Sequence, residues 1–365
     1  MRHLFALSLV LMGCGDNLGG DGAGTEDLGD LGGAVEDDGV VGKLVPQVCA
    51  ARSWSEVQTA SKNVDLTVVP TAGGAAVLHV PRTGGMLGGF LLDGRGLIVG
   101  DPAGTQIMEG KWTDVSASVS DGRLVVGLTD GTSTTISILR DDLGDYRKLT
   151  TTGGALLGDA VVMTARDTRF TATGGTSGML KTTFDSGWTA MDTEVFSRSV
   201  PTGMTSAAYG DDGMIAWSTT TSCHLQRISS GIDSTQDFAC KDARLATNYA
   251  DREGELVWQG GRSVMLSNIR ASAHNEIANV KVLATEGTSP RVVFDGERFW
   301  VSYLNKVGVL IVGYLDDTDT LVSTSVDLRP LPGAHELVVM DGTLWAFAFD
   351  AETGFGASRL CLVRE

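Results

Sequence analysis

The chain is 365 residues long and strongly acidic, with a formal net charge of −17 and a pI near 4.6. That balance excludes a nucleic-acid-binding role, because phosphate recognition needs clustered Lys and Arg and the sequence carries no such cluster. With 48 Gly, 6% aromatic residues and abundant Thr, Ser and Val, and no long run at helical spacing, the chain reads as many short strands joined by tight turns.

The first element is a leader. Met1, Arg2 and His3 form a basic start and Leu4 to Met12 an apolar run, far short of the roughly 20 residues that span a bilayer. It ends in Leu11, Met12, Gly13 and Cys14, which resembles the lipobox of bacterial lipoproteins. The resemblance implies cleavage after residue 13 and lipidation of Cys14, whose thiol carries the diacylglycerol. Several acyl chains, at about 0.8 kcal/mol per buried methylene, anchor a protein where one does not. Gly15, rather than Asp, after the lipidated cysteine implies sorting to the outer membrane of the cell envelope.

Residues 14 to 47 are rich in Gly and Asp and contain no aromatic side chain, so they bury no core and act as a self-repelling tether. "GGDGAGTED" resembles one glycine and aspartate nonapeptide of calcium β-rolls, but it is not in tandem, and no cofactor or metal site is assigned. The folded domain is expected from 48 to 365.

Within that domain one pattern repeats. "VVFDGERFWVSYL" (292 to 304) reads as strand, turn, strand, and Asp295-Gly296 has counterparts at Asp121-Gly122, Asp212-Gly213, Glu253-Gly254 and Asp341-Gly342. Successive glycines stand 91, 41, 42 and 46 residues apart. The double gap holds a unit with Asp167-Thr168 at its turn, and an upstream unit turns at Gly73-Gly74. Seven units of about 45 residues are the mark of propeller blades. The expected fold is therefore all-β: a seven-bladed β-propeller of four-stranded antiparallel blades, with six blades or a β-sandwich as alternatives. Trp217, Trp258 and Trp300 stand four residues past the turn glycine and Trp345 three past it, which predicts large rings filling the wedge between sheets at one fixed depth. The last unit has three strands before Glu365, so its fourth is expected from "VCAARSWSEVQ" (48 to 58), closing the ring.

Four cysteines remain, an even number that suits an oxidising compartment. Folding unit four about Gly231 sets Cys223 opposite Cys240 on its third and fourth strands. Cys49 and Cys361 then fall on the borrowed strand and its neighbour. His224 beside Cys223 is the only hint of a thiolate metal site, and no C-x-x-C accompanies it.

No catalytic residue is assigned, because no hydrolase, zincin or phosphate-loop motif is present. "TFDSGWTAM" (183 to 191) resembles the aspartate-box turn of sialidase-like propellers but reads as an ordinary turn. "LDDTDT" (315 to 320) reads as a solvated hairpin end rather than a calcium loop. Propellers usually bind on the face where the inner strands begin, and the residues expected there are Asp65, Asp114, Asp159, Arg244, Arg291, His335 and Glu336. Arg244, Arg291, His335 and Glu336 are the expected binding group, since two cations and an imidazole on adjacent blades suit an anionic moiety. The leading expectation is a monomeric, non-catalytic module that binds an envelope protein or glycan. The alternative is a polysaccharide hydrolase or lyase using Asp114 and Asp159.

Overall fold

The computed structural model describes residues 43–365 except 58, 60, 62, 121, 141, 154–162, 166–167, 210–211, 229–232, 249, 252, 271–275, 327–334, 351 and 365. Cys14, the leader and residues 14–42 therefore lie outside the described residues. Among those described, the strands form seven antiparallel sheets. Each begins with an inner strand: Val64–Thr71, Asp114–Ser120, Met163–Ala165, Gly203–Tyr209, Lys241–Asn248, Gly287–Phe294 and His335–Met340 for blades one to seven. These inner strands meet the neighbouring blade on each side, and the first also meets the last. The fold is a seven-bladed β-propeller.

Closure follows the sequence expectation with one shift. The strand Leu44–Trp54 pairs antiparallel with Gly354–Arg364 of blade seven, so it starts upstream of the predicted boundary at 48. Blade one departs from four simple strands: its third strand, Gly85–Asp93, pairs outward with both Ile98–Val99 and Thr105–Trp112.

Alternation along each strand sends side chains to both faces of a blade, and each face meets another blade. Among the described residues, the buried apolar ones accordingly sort into seven clusters, one per interface. Between blades seven and one, for example, Trp345 and Phe347 pack with Val64, Val77 and Phe90. Between blades two and three, Val125, Ile136 and Ile138 meet Phe184 and Trp188. Burial is thus distributed around the ring rather than gathered in one centre.

The four repeat tryptophans are core residues, at most 3% exposed, but not at one depth. Trp217 and Trp258 stand sixth in the strands Asp212–Ser218 and Glu253–Gly260, whereas Trp300 is second in Phe299–Asn305 and Trp345 third in Thr343–Asp350. The first two pack against the preceding blade and the last two against the following one. Turn placement explains the difference. Asp341-Gly342 is a true two-residue turn, with Met340 paired to Thr343 and φ of 49° and 66° at its centre, as a type I′ turn requires. In blades four and five, by contrast, Asp212-Gly213 and Glu253-Gly254 are already in the second strand, paired with the inner one. Counting from the glycine therefore measured different starting points.

Both disulfides form as paired by sequence, Cys49–Cys361 with Cα atoms 5.8 Å apart and Cys223–Cys240 at 5.3 Å. In the second, however, Cys240 does not lie across a strand pair from Cys223, the position expected from folding about Gly231. Cys223 faces Gln236 across the strand pair, and Cys240 sits in the connection into blade five, after the outer strand Asp233–Gln236 has ended. His224 is a structural residue, bonded to Ser222 Oγ at 2.8 Å and Thr235 Oγ1 at 3.1 Å and stacked on Trp217.

The two acidic turns are copies of one loop. Asp185 Oδ1 accepts from the amides of Gly187 and Thr189, and Asp316 Oδ1 from those of Thr318 and Thr320. Asp93 and Asn305 do the same in their hairpins. Each carboxylate or amide replaces missing ladder partners, so both segments are hairpin ends, as expected.

Candidate functional site

The structure gathers the four residues expected at the entry end of the inner strands. Arg244 and Arg291 occupy equivalent positions in blades five and six. In each strand the pairing register shifts just before the arginine, between Lys241 and Arg244 and between Thr288 and Arg291. In each a positive φ, 48° at Asp242 and 53° at Ser289, stands two residues earlier. Both guanidinium groups donate from Nη1 to the preceding residue's carbonyl, Ala243 O and Pro290 O, at 2.9 Å. A bulge of this kind re-aims a side chain at a strand end, and here the device is used twice.

Blade seven supplies the partners. Arg291 Nε donates to Glu336 Oε1 at 2.8 Å, between side chains 7% and 18% exposed. His335 is fully buried, and neither ring nitrogen has a hydrogen-bond partner among the described residues. Burial, reinforced by the Arg291 and Arg244 charges, holds its pKa well below the ordinary imidazole range, so the ring is neutral at pH 7. The group is thus one neutral imidazole near two guanidinium groups, with Arg291 paired to Glu336. Half-buried Arg244 and Glu336 are its accessible members, whereas sequence alone offered all four as equals.

The Arg291–Glu336 pair also bolts blade six to blade seven. Removing one member leaves a charge poorly solvated. Arg291→Ala is expected to lower stability by about 3 kcal/mol in denaturant titration, and the double variant Arg291→Met/Glu336→Leu to recover most of that loss. An additive double variant would show that the pair is not coupled.

The other entry residues do structural work or fall outside view. Asp65 pairs with Arg82 at 2.5 Å and accepts from the Val115 amide of blade two at 3.0 Å, clipping two blades together. Asp114 opens the inner strand of blade two, half-buried. Asp159, the other carboxylate of the hydrolase expectation, lies outside the described residues.

Sequence reasoning missed a second polar site at the opposite, hairpin end of blades five and six. There a groove of about 570 Å³ is lined by residues including Asp251, Glu253, Glu255, Glu297 and Asp319. Glu255 is 5% exposed and accepts from Asn268 Nδ2 at 2.8 Å. Its burial pushes the carboxyl up to about 8, a rise the Asn268 bond opposes and the nearby Asp319 reinforces. The available signal was a glutamate beside the apolar run Leu256–Trp258 in the strand "EGELVWQG".

No family model and no curated protein sequence matches the chain. Solved structures do. The WD40 domain of Toxoplasma gondii coronin is similar with a TM-score of 0.57 at 12% identity, over 88% of each chain. Kuenenia stuttgartiensis hydrazine synthase is similar with a TM-score of 0.59 at 12% identity, over 85% of this chain and 97% of that one. At such identity the likeness concerns architecture, and function must be argued from sites: the chain is a seven-bladed β-propeller.

Proposed function

We propose that the chain is a lipid-anchored, non-catalytic binding module of the bacterial cell envelope. Cys14 carries the lipid, residues 14–47 hold the domain off the outer membrane, and the entry end of blades five to seven binds an anionic group on an envelope protein or glycan. The observation that carries the reading is the convergence of Arg244, Arg291, His335 and Glu336 on three adjacent inner strands, with both arginines presented by the same bulge. The two disulfides suit an oxidising compartment.

Two substitutions in the full chain test it. Cys14→Ser is expected to move the protein from the membrane to the soluble fraction of the producing bacterium. Arg244→Glu is expected to weaken binding of the envelope partner recovered by crosslinking at least tenfold, without changing the unfolding midpoint. Retention in the membrane would remove the anchor from the reading, and unchanged partner binding would remove the site.

A further inference from the structure

The groove at the hairpin end of blades five and six carries more charge than the fold needs. Asp251, Glu253 and Glu255 reach it from blade five, and Glu297, Asp317 and Asp319 from blade six. Among the described lining residues the cation is Arg298, which is engaged with Glu297 at 2.8 Å and lies over the Tyr314 ring at 5.7 Å. Lys281 sits nearby, paired with Asp319 at 3.1 Å. A cleft lined by one sign of charge focuses its field and attracts the opposite sign.

The second observation is Glu255 itself. Its Oε1 is held by Asn268, but its Oε2, on a side chain 95% buried, has no hydrogen-bond partner among the described residues. Such an orphaned oxygen costs free energy unless something supplies a donor. The Glu255 side chain lines the groove, whose other carboxylates are more exposed than it is.

The occupant's chemistry follows from size and lining. Among the described residues no three His, Cys, Asp or Glu side chains converge as a metal would require, and 570 Å³ far exceeds one ion. Phe294, Phe299 and Tyr314 add ring surface to the acidic walls, a combination that suits a cation on an alkyl stem. We propose that this groove binds the alkylammonium group of an organic cation, with Glu255 Oε2 accepting its N–H. The source is a free polyamine or the lysine side chains of a basic chain segment; the chemistry is the same.

Binding is coupled to a proton. Glu255 faces Glu253 on its own strand, Asn268 on the third strand, Lys281 on the outer strand and Asp319 from blade six. Without a bound cation its carboxyl is protonated at neutral pH, and an arriving ammonium favours the ionised form. Affinity is therefore expected to rise with pH, by up to about tenfold per unit below pH 8.

Calorimetric titration of the full chain with spermidine and, separately, tetralysine tests this, run in two buffers of different ionisation enthalpy to count protons. The expected result is saturable binding of at least one amine with release of close to one proton at pH 7. Glu255→Gln, which keeps the Asn268 partner and the volume, is expected to abolish the release and the pH dependence. Asp251→Asn/Asp317→Asn is expected to weaken binding several-fold while leaving the release intact. Spermidine binding alone assigns a free polyamine, and tighter tetralysine binding a basic segment. Failure of both amines to saturate, proton release that survives Glu255→Gln, or displacement of the amine by equimolar Mg²⁺ or Ca²⁺ would overturn the proposal. If Glu255→Gln does not fold, the proton count of the unaltered chain decides.

Discussion

Replacing Cys49 and Cys361 by serine is expected to destabilise the propeller by about 5 kcal/mol on the chain-entropy account, against about 3 kcal/mol for replacing Cys223 and Cys240. The difference comes from the span each bond closes, 312 residues against 17. The first bond also pins the strand Leu44–Trp54 to Gly354–Arg364, the pairing that completes blade seven. Without it, closure rests on ladder hydrogen bonds and on the contacts of Trp54 with Phe90 and Phe347. Limited proteolysis of the variant should therefore release the N-terminal strand first. Access predicts the order of reduction: Cys49 is exposed, whereas Cys223 and Cys240 are fully buried. Titration with reductant, with the freed thiols mapped by alkylation, should label Cys49 and Cys361 before the other pair. The reverse order, or equal stability losses for the two double variants, would show that the terminal strand does not latch the ring.

Stability should peak near pH 6.5 and fall on both sides, for opposite reasons. His79 is buried in blade one, 5.0 Å from the Phe355 ring, and burial depresses its pKa from 6.5 to about 4. His335 is depressed in the same direction. Between pH 6.5 and 4 the unfolded chain binds protons at these positions that the folded chain does not, so acidification favours unfolding, by up to about 1.4 kcal/mol per pH unit for each group. Glu255 works the other way. Its folded pKa, raised from 4.5 to about 8, means that the folded chain retains a proton the unfolded chain has lost. Its stabilisation is complete below pH 4.5 and declines as pH rises to 8. The two histidines outweigh one glutamate below 6.5, and above it the glutamate acts alone. Denaturant midpoints from pH 5 to 8.5 should trace this dome, and Glu255→Gln should flatten the alkaline limb and steepen the acid limb, where the glutamate opposes the histidines. An alkaline limb unchanged by that substitution would mean that Glu255 is ionised in the folded protein.

Much of this architecture is local enough to be written along the chain. Strand alternation, the spacing of turn residues and an incomplete last unit gave seven blades and a borrowed strand, because each blade is a hairpin series whose pairings join sequence neighbours. Cysteine pairing was legible on the same grounds, although Cys240 bonds from a connection rather than a strand. The loop built on Asp185 and Asp316 was read as a turn in both places, but its identity with those at Asp93 and Asn305 appears only in the hydrogen bonds. The four members of the entry group could be named because the start of an inner strand is predictable. That Glu336 pairs with Arg291, and that His335 is fully buried within the field of two arginines, could not.

What the sequence by itself determined is the all-β class, the blade repeat, the ring closure and both disulfides, since these depend on periodicity and turn chemistry within tens of residues, or on a half-finished unit at each end. Only the tertiary structure decided the depth and direction of the tryptophans, because the length of each inner turn, not the position of its glycine, sets which residue of the second strand reaches a given level. It alone also placed Glu255 against Asp319, residues 64 positions apart brought together by the packing of one blade on the next. A carboxylate's chemistry depends on burial and on the charges around it, and neither is a property of the segment that carries it.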